Sequence, residues 1–238
     1  MRMSSQLIAS PDSKATALAS RPGSTKMTAK PSDQSPITVV PATPERWPHI
    51  EELFAQIPCW CQYWRVSASE YGRISKAQLG ERQLAERRNA LRNQLERSTP
   101  PGVIAYIDGR IVGWCGFGPR YEMERLVRSR TIPAVDNRPV WAIVCFLVRS
   151  GYRRRGVARA LLHGAIECAS SHRAPALEAY PVDPDGKRID ATFAYVGTLS
   201  MFEQEGFRRV IETSARSAGL PRWLMRLELS APSSARAA

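Results

Sequence analysis

The chain reads as an α/β (α+β) fold, seven strands and four helices in one domain, on three observations. Residues 142–148 (AIVCFLV) are too apolar to face water; after a break at Ser150-Gly151 and three arginines to Gly156, the pattern becomes helical. Two β-rich runs, 103–107 and 110–117, flank Asp108-Gly109, the strongest short hairpin signal. Across 37–229 the apolar spacing alternates between the two periods in the order β, α, α, β, β, β, α, β, α, β, β.

Residues 1–35 are rich in Ser, Thr, Pro, Ala and Lys and carry almost no aromatic or β-branched run. They bury too little to offset the entropy of ordering, so a disordered tail is expected. The segment lacks the continuous apolar core of a secretory signal; an organellar transit peptide, or a start at Met27, stays open. The domain is expected over 36–230, with a second disordered tail at 231–238.

A first strand at 37–40 (ITVV) closes at Pro41. Thr43-Pro44 then reads as cap and first-turn proline. It opens a helix to about 57, with Ile50, Leu53, Phe54 and Ile57 on one face, and Pro58 ends it. A second helix is expected at 81–97, with Leu84, Leu91 and Leu95 inward and Arg82, Arg87, Arg88 and Arg92 mostly elsewhere. Residues 98–102 (STPPG) make a turn into the hairpin. The arginine-rich stretch between Gly118 and Pro139 reads as loop with room for one helical turn.

After the strand at 142–148, Ala158, Leu161, Leu162, Ala165 and Ala169 share one helical face. Further strands are expected at 176–182, 208–212 and 223–229, a helix before Gly206-Phe207, and surface turns at 184–188 and 217–221.

The formal net charge of +12 bears on partners rather than on fold: a nucleic acid, an acidic membrane surface or a polyanionic small molecule would each exploit it. No stretch reaches the ~20 apolar residues that span a bilayer, so no membrane partner is expected. No helix-turn-helix or RNA-binding string accompanies the basic helix, so nucleic acid is not expected either. The five cysteines, at 59, 61, 115, 145 and 168, are an odd number without zinc half-sites or a disulfide pattern. No metal and a reducing cytoplasm are expected.

Gly156 sits where the chain passes from strand to helix, and the first-turn amides of a helix point outward as donors for an anion. With Arg153, Arg154 and Arg155 beside them, they describe a phosphate cradle. Neither GxxxxGK[ST] nor GxGxxG is present. What is present is Arg153-x-x-Gly156-x-Ala158, five residues after Val148. This resembles the pyrophosphate signature [QR]-x-x-G-x-[GA] of the GNAT acyltransferase superfamily. The following order of helix, strand, helix, Gly206-Phe207 and strand extends the resemblance.

The resemblance implies a mixed, mostly antiparallel central sheet with a V-shaped splay between strands four and five, where acetyl-CoA lies as co-substrate. The backbone of Phe146, Leu147 and Val148 would pair with its pantetheine arm. The amides of Arg153, Arg154, Arg155, Gly156, Val157 and Ala158 would hold its pyrophosphate. It implies an acyltransferase moving groups other than amino-acyl groups, onto a primary amine of a small molecule or peptide; a homodimer is left open.

Many members place an acidic Tyr four residues before the Gly-Phe step, where this chain has Phe202. Tyr195 is the candidate substitute as catalytic acid, and Glu178, sharing a strand face with Tyr180, the candidate base. For the acceptor the candidates are Trp60, Tyr63, Trp64 and Tyr180. The competing reading has Trp60 and Trp64 as a helical face packed in the core, Tyr195 as an ordinary packed tyrosine and Glu178 as a solvated carboxylate. Because Phe202 cannot donate a proton, a non-catalytic acyl-CoA-binding module is the alternative function.

Overall fold

The computed structural model describes residues 35–73, 81–184, 186 and 194–229. The two expected tails, apart from Ser35, and most of the 184–188 turn lie outside them.

Seven strands form one sheet: β1 (Thr38–Pro41), β2 (Gly102–Ile107), β3 (Arg110–Pro119), β4 (Trp141–Val148), β5 (Ala176–Ala179), β6 (Arg208–Ser217) and β7 (Leu220–Glu228). Their order is β1-β2-β3-β4-β5-β7-β6. Every pairing is antiparallel except β4 with β5. Asp108 (φ 50°) and Gly109 (φ 72°) are both left-handed, the conformation a tight two-residue hairpin requires. A second such turn, Ala218 (φ 51°) and Gly219 (φ 77°), joins β6 to β7. It lets both strands run longer than the sequence pattern suggests.

Alternation along β2 explains the layering. Val103, Ala105 and Ile107 pack beneath α5 (Val157–Ser171), together with Leu161, Leu162, Ala165 and Ala169 of that helix. Ile104 faces the other way, toward α1 (Trp47–Phe54) and α3 (Glu81–Leu95). Gly164 lets α5 come close: a Cβ there would sit 2.4 Å from Val39 Cγ1.

The helix expected to run to residue 57 stops at Phe54. The residue before Pro58 is steered away from helical angles, and Ile57 N–H closes a turn on the Phe54 carbonyl instead (2.8 Å). Thr43 has extended angles but makes no side-chain cap; its hydroxyl accepts from Arg46 Nη1 (2.6 Å). A helix the pattern missed, α2 (Ala68–Arg73), starts at a reciprocal cap. Ser67 Oγ accepts from the Glu70 amide (3.1 Å) and Glu70 Oε2 accepts from the Ser67 amide (2.9 Å). Residues 119–139 hold a 3-10 turn and one short helix, α4 (Glu124–Val127).

In α3 the arginines do not form a free basic face. Arg82 pairs with Glu86, Arg88 with Glu51, and Arg87 is buried. Near the C-terminus, α6 (Leu199–Glu203) is followed by left-handed Gly206 (φ 84°) and buried Phe207.

Candidate active site

The site follows from how briefly β4 and β5 pair. Their ladder covers only Trp141–Ile143 against Leu177–Ala179. Pro181 lacks the N–H to continue it, and Val182 bridges elsewhere, to Thr198 and Arg222. Beyond Ile143 the two strands part, while β4 stays paired with β3 to Val148. Cys145, Phe146, Leu147 and Val148 therefore line a cleft of about 1100 Å³.

At the C-terminal end of β4 the cleft is closed by backbone. Arg154 (φ 60°) and Gly156 (φ 81°) are left-handed, and Gly156 is the N-cap residue of α5 with no side-chain cap. Arg153, Arg154, Gly156, Val157 and Ala158 all line the cleft. A Cβ on Gly156 would meet only Ile37 Cδ1 at 3.8 Å, so the turn is open and glycine is needed for its angles. Arg153 Nε donates to the Val148 carbonyl (3.4 Å), tying the turn to the strand end. The Arg155 guanidinium lies 5.4 Å from the Tyr152 ring centre, and the residue is not among those that line the cleft. The residues present suit a diphosphate: open amides at a helix start, left-handed glycine and guanidiniums on the wall.

The other end is built from side chains. Tyr63, Tyr71 and Tyr195 line it with Ile57, Pro58 and Cys59. Tyr63 and Tyr71 meet edge to face (5.0 Å, 83°). Each already carries a cation on its ring: Arg125 lies 4.2 Å from the Tyr63 centroid, and Arg87 4.2 Å from that of Tyr71. Burial pushes the Tyr195 hydroxyl pKa up, partly offset by the charge of Arg222. Tyr195 is therefore a protonated donor at neutral pH.

The other candidates fall elsewhere. Glu178 lies in the paired part of β5, opposite Ala142, and is 1% exposed. It accepts from Arg226 Nη2 (2.6 Å) and from the Tyr180 hydroxyl (2.8 Å), with Arg120 Nε 3.5 Å away. A carboxylate held by two guanidiniums is not a free base, nor is it a solvated face. Tyr180 is buried on the same network, and burial beside the Glu178 charge raises its pKa; it is not on the cleft wall.

Trp60 stacks on Trp47 (6.0 Å) and Phe54 (5.6 Å) in the core beneath α1. Trp64 is buried against Ala142 and Val144. Both side chains are buried, but they do not form a helical face, because Trp60 (φ 46°) and Cys61 (φ 56°) are left-handed in a run of turns. Phe202 is fully buried between Phe146 and Phe207, so its position does not reach the cleft. Tyr71 went unnoticed with its helix, although Ser67-x-x-Glu70 marks that helix in the sequence.

Among the described residues no cluster of His, Cys, Asp or Glu could hold a metal ion, and no helix is long and apolar enough to cross a membrane.

Comparison with known proteins bears on this arrangement. A crystal structure described as an acetyltransferase superposes with a TM-score of 0.52 at 16% identity, covering 81% of this chain and all of that one. A ribosomal-protein-alanine N-acetyltransferase from Brucella melitensis gives 0.49 at 19%, over 81% of this chain and 99% of that one. An N-acetyltransferase from Staphylococcus aureus Mu50 gives 0.48 at 14%, over 82% and 100%. No curated protein matches the sequence. The family model for the acetyltransferase (GNAT) family matches residues 62–192. That span is more than half of the 238 residues, and the chain belongs to the acetyltransferase (GNAT) family.

Proposed function

We propose that this chain is an N-acetyltransferase that moves the acetyl group of acetyl-CoA to a primary amine held between Tyr63, Tyr71 and Tyr195. The observation that carries the reading is the uncapped start of α5 at left-handed Gly156, opening into the cleft where β4 has left β5. Outward amides there suit the pyrophosphate. The free edge of Phe146, Leu147 and Val148 suits an extended amide-bearing arm, which pairs as an added strand would.

The amine nitrogen attacks the thioester carbonyl, forming a C–N bond as the C–S bond breaks. Tyr195 donates its proton to the departing sulfur, and the nitrogen's proton passes to water, from which Tyr195 recovers its own. Among the described residues the cleft wall carries no carboxylate or imidazole, so the acceptor reacts as the neutral amine. Alignment of the two partners supplies most of the rate. The five cysteines are free thiols, which fits a cytoplasmic enzyme.

A second reading, an acyl-CoA-binding module without turnover, is favoured by one observation: buried Phe202 stands where many relatives carry the acid. Release of free thiol from acetyl-CoA decides between the two, measured with a panel of amines. Sustained, amine-dependent release is expected. Tight acetyl-CoA binding with no release from any amine contradicts transfer.

A further inference from the structure

A second cavity, of about 480 Å³, shares Tyr63 with the cleft, but its wall has a different chemistry. Arg125 and Arg128 line it, with hydroxyls from Ser67 and Ser129 and the indole of Trp64. Among the described residues the wall carries no carboxylate, so its guanidiniums call for an acceptor supplied from outside.

The charge has the same sense. Arg128 is paired with Glu124 (3.1 Å), whereas the Arg125 guanidinium has no carboxylate partner among the described residues and lies over the rings of Tyr63 and Tyr71 (4.2 and 5.3 Å). Behind Tyr71, Arg87 is 5% exposed, and its Nε and Nη2 have no partner among the described residues. Two guanidiniums thus flank the tyrosines at the acceptor end of the cleft. They repel a polyamine and attract an anion. The Arg125 backbone N–H donates to the Trp64 carbonyl (3.2 Å), which holds α4 and the Trp64 segment together.

We propose that this cavity is an anion subsite of the acceptor site: the preferred acceptor is a primary amine bearing a carboxylate, gripped by Arg125 while its nitrogen reaches past Tyr63 into the cleft. The proposal rests on the acetyltransferase reading above. A planar guanidinium matches a carboxylate's two in-plane oxygens.

The test compares thiol release with three amines of equal chain length: an ω-amino carboxylate, its primary amide and the plain alkylamine, each at chain lengths of three to six carbons. The carboxylate should show a kcat/KM about tenfold or more above the amide, the scale of one charge-assisted contact. Arg125→Leu should abolish the preference through KM, with acetyl-CoA affinity unchanged. Arg125→Lys keeps the charge and removes the planar fork, so it should reduce the preference without abolishing it.

Equal turnover of amide and carboxylate by the wild type overturns the subsite and leaves the transferase standing. If no amine is turned over, thermal shift with the amino carboxylates decides. A shift lost in Arg125→Leu keeps the subsite and sinks the transfer reading, whereas no shift overturns the subsite.

Discussion

The two ends of the cleft are made differently. The end at residues 153–158 is main chain: a left-handed glycine, the first amides of α5 and the free edge of β4. The end near Tyr63 is side chain, assembled from the segment at 57–71 and Tyr195. Main-chain donors stand in one place whatever the side chains are, so one end is fixed by local sequence. Side-chain walls depend on which remote elements meet, so the other end can vary without disturbing the fold.

Gly156→Val should have the largest effect. A β-branched residue at φ 81° costs ~1–2 kcal/mol or remodels the turn. Losing about two charge-assisted bonds at ~1.5–3 kcal/mol each should weaken acetyl-CoA binding roughly a thousandfold, read by calorimetry. The cleft would otherwise keep its shape, because a Cβ has room.

Glu178→Gln should lower unfolding stability by about 3 kcal/mol, the low end for a broken buried pair, since Asp136 still holds Arg226 (2.5 Å). Denaturant unfolding measures it. Reduced turnover at unchanged stability would restore Glu178 as a base and move catalysis away from the acceptor end.

Tyr195→Phe should cut kcat about a hundredfold, the lower end for a lost general acid, with acetyl-CoA affinity unchanged. The raised hydroxyl pKa adds a sign. The donor stays protonated as pH rises through neutrality, so this group should impose no fall in kcat below about pH 10.

The smallest effect sharpens the contrast within the aromatic residues. Phe202→Tyr puts a hydroxyl among Phe146 and Phe207. It should cost ~1–3 kcal/mol of stability, seen in a lowered Tm, with no gain in rate. A faster enzyme would show that the usual acid position reaches the cleft after all.

The same division decides what the sequence makes legible. Arg153-x-x-Gly156-x-Ala158 and Asp108-Gly109 encode backbone angles locally, and both appear where the pattern places them. Glu178 and Tyr180 do share a face, as alternation requires. That the face is buried and ion-paired depends on Arg120 and Arg226, which only the folded chain brings there. Arg87 illustrates the same limit: helical periodicity assigns an arginine outward, yet it is buried because the Tyr71 ring covers it. Trp60 and Trp64 are four apart, but left-handed turns between them break the helix that spacing suggests.

Backbone amide exchange on adding acetyl-CoA tests the central assignment most directly, because it reads the main chain itself. Slowed exchange confined to residues 145–148 and 153–159, with little change across β6 and β7, is the predicted result. Unchanged exchange at 153–159 under saturating acetyl-CoA, or protection appearing elsewhere, would contradict the placement of the diphosphate at the start of α5.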